Sequence, residues 1–261
     1  MNAEHTDSHH NVPHIVVSAL TMGYGDFILM RNLDFTVNRG DIFAIMGGSG
    51  CGKSTLMRIM VGLKAPHTGK VVYGDVDFWS LAEAEREHMM QRFGILYQSG
   101  ALWSSKTLAE NIGLPLELYT DLDSDDIHDL VEFKLSLVGL AGFGSYYPSE
   151  ISGGMRKRAG LARAIALDPE VLFFDEPSAG LDPISAKNLD DLIMEINQSL
   201  GATVMIVTHE LPSIFAIATN AVFLDNESLT AVATGSPKAM LETADNPNVI
   251  RFLTRGERSG R

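Results

Sequence analysis

The chain has 261 residues and a formal net charge of -13, and hydrophobic residues make up 45% of it. That length fits one large domain, or a core with one insertion, and the apolar fraction is enough for a sizeable core. No stretch approaches the ~18 consecutive apolar residues that a membrane helix needs, and the acidic balance disfavours contact with nucleic-acid phosphates. We therefore expect no nucleic-acid partner, and contact with a membrane only through other proteins.

Residues 1–14 are polar and lack a hydrophobic signal core, which predicts a disordered tail and no secretion. Histidines are frequent there, but their spacing is irregular, so we favour a solvated tail over a metal site. These histidines are His5, His9, His10 and His14. The single cysteine, Cys51, excludes an internal disulfide and agrees with a reducing compartment.

Apolar strands alternate with helical segments along most of the chain, which predicts a three-layer α/β fold. The predicted strands are 15–17, 33–37, 42–46, 171–174 and 203–207. The predicted helices are 55–63, 80–92 with Ser80 as its cap, a mainly helical region over 106–140, and 153–167. A short helix opens at Ser236 and Pro237, and residues 246–261 are expected to form a tail.

A phosphate-binding loop follows the apolar strand 42–46, because residues 47–54 read GGSGCGKS and match G-x-x-x-x-G-K-[ST]. Glycines allow backbone N–H groups to turn inward around phosphate oxygens, and the following helix directs its positive end at the same anion. Lys53 is suited to the β- and γ-phosphates, and the Ser54 hydroxyl to Mg²⁺. The candidate ATP-binding residues here are Gly47, Gly48, Ser49, Gly50, Cys51, Gly52, Lys53, Ser54 and Thr55.

Two carboxylates, Asp175 and Glu176, end the apolar strand 171–174. Ligands of open α/β sheets bind at the carboxyl ends of the strands, so both side chains are expected near the phosphate loop. Asp175 is the candidate Mg²⁺ ligand, and Glu176 is the candidate general base that polarises the attacking water. Such a pair is a weak signal alone and a strong one together with the loop.

A second anion site is indicated by residues 151–155, ISGGM, which stand immediately before a helix. A single chain has no evident need for two γ-phosphate sites. A head-to-tail homodimer does, because each nucleotide is then sandwiched between one phosphate loop and the partner's second site.

From about residue 15 to about residue 235 the chain resembles the ATPase subunits of ABC transporters, and the motifs follow the family's order. The resemblance implies that Tyr24 stacks on adenine and that His209 contacts the γ-phosphate. It also implies that Gln98 contacts Mg²⁺ and water and senses the transmembrane partner, so Lys53, Gln98, Glu176 and His209 are the candidate catalytic residues. Taken singly, Tyr24 and His209 also fit core packing, and Gln98 fits an ordinary surface position.

The family signature is matched by Ser152, Gly153 and Gly154, and Asp182 falls in the loop that communicates across the family's dimer. These four are further candidate ATP contacts. The signature usually reads LSGGQ, whereas this chain has Ile151 and Met155 at its ends. Met155 removes an amide that can hydrogen-bond the partner's nucleotide. Hydrolysis is still expected, because Ser152 and the two glycines remain.

The SGGM signature, its following segment 156–169 and the segment 97–103 resemble the Mla-type ATPases of MCE transport systems. That resemblance implies a peripheral subunit on the cytoplasmic face of a bacterial inner membrane. It further implies a permease dimer, an MCE-domain protein and a small STAS-domain protein as partners, with phospholipid as the cargo moved between the inner and outer membranes.

The same resemblance implies an α/β fold with three parts: a P-loop NTPase core with a mixed sheet, an N-terminal antiparallel β-subdomain and an ABC-type helical subdomain. The ATPase domain is expected over 15–235, with the helical subdomain at about 98–150 plus the signature helix to about 167. Residues 236–261 are expected to form a C-terminal helix and a basic tail.

Two alternatives stay open, and a third function is disfavoured. The apolar residues between 99 and 119 either form a groove for a permease coupling helix or pack inside the helical insert. The cargo is alternatively a small polar solute, taken up by an importer. A soluble ABC protein acting on nucleic acid or ribosomes is disfavoured, because the chain has no paired cassette, long coiled-coil insertion or basic surface.

Overall fold

The computed structural model describes residues 12–256, whose ten strands form two sheets. The strands are β1 (Pro13–Tyr24), β2 (Phe27–Asn38), β3 (Ile42–Gly47), β4 (Thr68–Tyr73), β5 (Val76–Asp77), β6 (Phe93–Leu96), β7 (Val171–Asp175), β8 (Thr203–Val207), β9 (Asn220–Asp225) and β10 (Thr230–Gly235). An antiparallel sheet has the order β2-β1-β4-β5, and the second sheet has the order β10-β9-β3-β8-β7-β6. In the second sheet β10 is antiparallel to β9 and the other pairings are parallel, so the mixed sheet and the N-terminal antiparallel sheet are confirmed.

Helices cover the second sheet and build a separate helical region. They are α1 (Lys53–Met60), α2 (Glu83–Met90), α3 (Leu108–Tyr119), α4 (Ser124–Leu137), α5 (Gly153–Ala164), α6 (Pro183–Leu200), α7 (Leu211–Ile217), α8 (Pro237–Thr243) and α9 (Pro247–Leu253). Within residues 12–256, none of these helices has the length and apolar character needed to cross a bilayer.

The parallel strands bring three loops to one edge of the second sheet. Strands β3 and β8 are buried along their whole length, as expected for strands covered on both faces. Val207 pairs with Ile45 on one side and with Asp175 on the other. The segments that follow β3, β7 and β8 therefore leave the sheet side by side, which brings the phosphate loop, the Asp175–Glu176 pair and His209 to one edge.

The helical region is held together by an apolar core and by two buried polar groups. Val131 and Leu135 of α4 are buried against α3 and α5. Asn111 is fully buried, and its amide donates to the carbonyls of Trp103, Lys106 and Thr107 at 3.1, 3.1 and 2.8 Å, which fixes the chain ahead of α3. The Lys134 ammonium is also buried and lies 2.5 Å from Asp168, which ties α4 to the segment after α5.

The predicted N-terminal tail is wrong at its end, because β1 begins at Pro13 and includes His14. His14 is only 5% exposed, and its Nδ1 lies 2.6 Å from the Thr203 hydroxyl at the start of β8. Burial lowers the pKa of His14 to about 4, and the charge of Arg39 acts in the same direction. Residues 1–11, with His5, His9 and His10, lie outside the described residues.

The predicted tail over 246–261 is also wrong in its first half, because Asn246 caps helix α9. Val249 and Leu253 of α9 are buried against the second sheet, and the ring of Phe252 meets Phe223 edge-on at 5.3 Å. Apolar residues three and four apart give α9 one apolar face, which the sheet covers. Residues 257–261, the end of the predicted basic tail, lie outside the described residues.

Candidate active site

The phosphate loop connects β3 to α1, as its sequence predicts. Its lysine turns back on the loop: Lys53 Nζ donates to the carbonyls of Gly47 and Gly48, both at 2.9 Å. An ammonium held among main-chain oxygens at a helix N-terminus is well placed to exchange those oxygens for phosphate oxygens. The loop therefore has the geometry of an anion site.

Gly47 cannot be replaced without moving the loop. Its φ is +147°, and a Cβ there would overlap the carbonyl oxygen of Leu224 and lie 2.7 Å from Cys51 Sγ. Cys51 is 1% exposed, and burial raises the pKa of its thiol, an effect that the Lys53 charge opposes. A buried, protonated thiol is inert, so Cys51 serves as packing within the loop.

A hydroxyl and a carboxylate meet beside the loop. Ser54 Oγ, in the first turn of α1, donates to Asp175 Oδ1 at 3.3 Å. Burial raises the pKa of Asp175, the Ser54 hydrogen bond opposes that effect, and the charge of Glu176 raises it further. Adding a cation to such a site would relieve a half-buried carboxylate that has few donors. Hard oxygen donors of this kind fit Mg²⁺.

Glu176 and His209 form the second pair at this edge. His209 Nδ1 lies 2.8 Å from Glu176 Oε1, and the Glu176 main-chain N–H donates to the Val207 carbonyl at 2.8 Å. Glu176 adopts a φ of +50°, which an L-residue takes only when its surroundings impose it, and its Oε2 is buried with no hydrogen-bond partner among residues 12–256. The His209 side chain is 59% exposed, so the core-packing interpretation of this histidine is wrong.

Tyr24 lies at the rim of the loop and is 48% exposed, which excludes the core-packing alternative. Its hydroxyl is 3.2 Å from Thr55 Oγ1, and Lys64 Nζ lies over its ring, 4.3 Å from the centroid. Gln98 is exposed in the turn that follows β6, where the Gly100 N–H donates to the Tyr97 carbonyl at 2.8 Å. The structure thus brings the Tyr24 side chain against Thr55 of α1 and leaves Gln98 in solvent.

The signature residues lie in a different cavity, of about 610 Å³, between α4, α5 and α6. Ser152 caps α5 and accepts from the Met155 N–H at 3.2 Å, and both Ser152 and Gly153 are exposed. The cavity is also lined by Asp182, whose side chain caps α6. No residue of the phosphate loop lines it. Within one chain, the structure therefore does not bring the signature to the loop.

One residue of this region escaped prediction. Lys157 of α5 is 6% exposed, and its ammonium donates to the carbonyls of Pro177 and Ala179 at 2.6 and 2.5 Å. It links the signature helix to the segment directly after Glu176. The sequence does contain a signal for its burial: Lys157 falls at helical spacing with Gly160, Leu161 and Ala164, on the apolar face of a predicted helix.

The family described as ABC transporter matches residues 30–179. Two relatives cover most of this chain. The Haemophilus influenzae intermembrane phospholipid transport system ATP-binding protein MlaF is 38% identical over 246 residues, which are 94% of this chain and 92% of that protein. A Mycobacterium tuberculosis protein described as probable ribonucleotide transport ATP-binding protein mkl is 38% identical over 94% of this chain and 67% of its own length.

Solved structures agree with the sequence comparisons. The cbiO1 component of the cbiONQ ABC transporter complex from Clostridium perfringens has a TM-score of 0.81 at 25% identity, over 94% of this chain and 96% of that one. A dimeric bacterial ABC transporter cassette has a TM-score of 0.77 at 25% identity, over 85% and 98% of the two chains. This chain belongs to the ABC transporter family. Within that family it is an ATP-binding cassette with ATPase activity, homologous to MlaF.

Proposed function

We propose that the cassette hydrolyses Mg·ATP at the edge where β3, β7 and β8 end. The observation that carries the proposal is the convergence there of Lys53, Ser54, Asp175, Glu176 and His209, through the contacts Lys53–Gly47, Ser54–Asp175 and Glu176–His209. Lys53 and the loop N–H groups bind the phosphates, and Tyr24 and Thr55 border the nucleotide. Magnesium, when bound, neutralises charge on the phosphates, and Ser54, Asp175 and Gln98 would hold it.

Glu176 is the proposed general base. Its Oε1 is oriented by His209, and its Oε2 is buried with no hydrogen-bond partner among residues 12–256, so Oε2 is the oxygen to which we assign the proton of the attacking water once that water is bound against it. The strained main chain that presents this carboxylate is tied to β8 through the Val207 carbonyl. The His209 side chain is 59% exposed and its Nε2 lies 3.6 Å from Glu210 Oε1, so a contact with a γ-phosphate oxygen would take the place of that carboxylate.

The second half of the site comes, in our proposal, from another copy of the chain. Ser152, Gly153 and Gly154 form the N-terminal end of α5, where anions bind, yet they face their own cavity with Asp182. A head-to-tail homodimer would place this end against the partner's loop. Support comes from the dimeric cassette to which the chain is similar.

A permease coupling segment is proposed to dock in a second cavity of about 630 Å³ between α2, β6, α3 and α5. The apolar residues of α3 divide between the two interpretations: Ile112 and Leu116 are buried in the helical region, whereas Leu118 and Tyr119 are 63% and 54% exposed beside the cavity. Exposed apolar side chains at a groove are typical of a helix-binding surface.

The proposed cargo is phospholipid, moved with a permease dimer, an MCE-domain protein and a small STAS-domain protein at the cytoplasmic face of a bacterial inner membrane. The similarity to MlaF over nearly the whole of both chains supports it. A second candidate is a small polar solute, since the mycobacterial relative is named for ribonucleotide transport.

The deciding experiment is purification of the chain from its native membrane, in mild detergent, with identification of the bound proteins and lipids by mass spectrometry. Co-purification of an MCE-domain protein and phospholipid is the expected result. Recovery of a solute-binding protein in its place would favour the small-solute alternative. The Glu176→Gln variant serves as a matched sample, because it should assemble with the same partners.

A further inference from the structure

A residue outside the phosphate-loop motif holds the loop's main chain. Asn226, in the turn between β9 and β10, donates from Nδ2 to the Ser49 carbonyl at 3.2 Å. The same nitrogen lies over Gly48, where a Cβ would stand 3.6 Å away. The turn therefore rests on the first half of the loop, and its amide makes a directed contact there.

That contact orients a peptide group that has to present a donor to phosphate. In a trans peptide the C=O and the following N–H point in opposite directions, and residues 12–256 contain no cis peptide. Holding the Ser49 carbonyl toward Asn226 turns the Gly50 N–H to the opposite side of the loop. Lys53 donates to the carbonyls of Gly47 and Gly48. Asn226, which lies outside the motif, donates to the next carbonyl along the chain, that of Ser49.

The turn that carries Asn226 is in turn tied to the C-terminal helix. Asp225, at the end of β9, is 5% exposed and accepts from the Ser228 N–H at 2.9 Å and the Ser228 hydroxyl at 2.8 Å. Its other oxygen accepts from Asn248 Nδ2 of α9 at 2.8 Å. Helix α9 is itself anchored on the sheet by Val249 and Leu253. Two hydrogen bonds, Asn248–Asp225 and Asn226–Ser49, thus connect α9 to the loop through the peptide bond between Asp225 and Asn226.

We propose that Asn226 is a positioning residue for the phosphate loop and that helix α9 holds it in register through Asn248 and Asp225. The inference rests on the proposed nucleotide-binding role of the loop. Its consequence is regulatory: a partner that lifts α9 from the sheet weakens nucleotide binding without touching the motif residues.

The first test is ADP binding to the full chain by calorimetry. Asn226→Leu keeps the approximate size of the side chain, removes the donor and adds no charge, and should raise the ADP Kd about 3- to 10-fold, the range of one lost hydrogen bond. Glu227→Asp, a charge-conserving change at an exposed position of the same turn, is the matched control and should stay within about twofold of wild type. In ATPase assays Asn226→Leu should raise KM for ATP and keep kcat, a split that general destabilisation does not produce.

The second test is the coupling to α9. Asn248→Ala should raise the ADP Kd by itself and add nothing when Asn226 is already replaced by Leu, because both act through one contact. An unchanged Kd for Asn226→Leu, or one equal to that of Glu227→Asp, would overturn the positioning role. Additive effects of the two substitutions would overturn the link to α9. A wild-type chain that binds no ADP would refute the proposed nucleotide site itself.

Discussion

The ammonium of Lys157 lies 2.5 Å from the carbonyl oxygen of Ala179, and 2.6 Å from that of Pro177. This contact joins the signature helix α5 to the segment between Glu176 and Asp182. The segment that holds the proposed general base and the proposed dimer contact is thereby tied to the helix whose N-terminus we propose to face the partner copy. A change in the position of α5 is therefore expected to affect both.

Lys157→Met should loosen that segment at little cost in volume. Two buried carbonyls lose a charged donor, so we expect a loss of about 1.5–3 kcal/mol in the free energy of unfolding, measured by urea denaturation. Lys187→Met, which removes an exposed Lys187–Asp191 pair, is the control and should cost less than about 1 kcal/mol. Equal losses in the two variants would contradict the role given to Lys157.

Glu176→Gln should abolish most turnover and leave binding intact. The amide keeps the size of the side chain but cannot take a proton from water, so kcat should fall at least ~10²-fold, the usual effect of losing a general base. ATPase activity of the assembled complex and ATP binding to the isolated variant measure the two quantities. Near-normal turnover would show that another group activates the water.

Lys53→Ala should act on binding itself. The substitution removes the positive charge from the loop and also the donor to the Gly47 and Gly48 carbonyls. Nucleotide affinity, measured by calorimetry, should therefore fall by at least ~10-fold, the effect of losing a charge-assisted hydrogen bond. Wild-type affinity in this variant would mean that the loop binds phosphate without its lysine.

The fold and the candidate site were largely predictable because their signals are local. A glycine-rich loop between an apolar strand and a helix, and two carboxylates at a strand end, carry their mechanism in consecutive residues. The contacts that depend on distant segments were not predictable. His14 bonds to a threonine 189 positions away in the sequence, and Lys157 needs the packed position of α5 to reach its two carbonyls.

Some predicted boundaries of helices were wrong, and the reasons are local. Ser80 has the composition of a helix cap, yet its hydroxyl bonds the Asp77 carbonyl in a short turn at 2.7 Å. Helix α2 begins at Glu83, where the Glu85 carboxylate accepts from the Ala82 N–H at 3.0 Å. Competing caps within a few residues cannot be ranked by residue type alone. The apolar spacing of Val249, Phe252 and Leu253 indicates one face of a helix, but this segment was predicted to be a tail.

A substitution of Ser152 should impair the site of the other copy. Ser152 lines a cavity without residues of its own phosphate loop, so Ser152→Arg in one copy is expected to disturb the nucleotide bound by its partner. Dimers that carry Ser152→Arg in one copy and Lys53→Ala in the other would keep one site with both halves defective and one site intact. Placing both substitutions in the same copy would leave each site with one defective half.

The two arrangements therefore separate a shared site from two independent ones. If the site is shared, dimers with the substitutions in different copies should retain up to about half of the wild-type ATPase rate. Dimers with both substitutions in one copy should lose nearly all of it. Independent sites predict the reverse order. The measurement is steady-state ATPase activity of differently tagged, doubly purified mixed dimers within the assembled complex.

The stability of the chain should fall between pH 7 and pH 5 through His14. Burial holds the pKa of His14 at about 4, below its ordinary value of 6.5, so the unfolded chain binds a proton in this range and the folded chain does not. The contribution of His14 to the free energy of unfolding is therefore fully present above the ordinary pKa of 6.5 and is lost as the pH falls toward 4. Linkage makes the loss about 2 kcal/mol between pH 7 and pH 5.

His14→Asn should remove that part of the pH dependence. Asparagine keeps a polar group toward the Thr203 hydroxyl and does not titrate, so the variant is expected to be less stable than wild type at pH 7 and nearly equal to it at pH 5. His67→Asn is the control, because His67 is exposed and its ring bonds to the Gly25 carbonyl in a surface turn. Urea denaturation midpoints at the two pH values measure the difference. A wild-type and a His14→Asn chain with parallel pH profiles would show that His14 titrates normally, and that the contact of β1 with the start of β8 opens in solution.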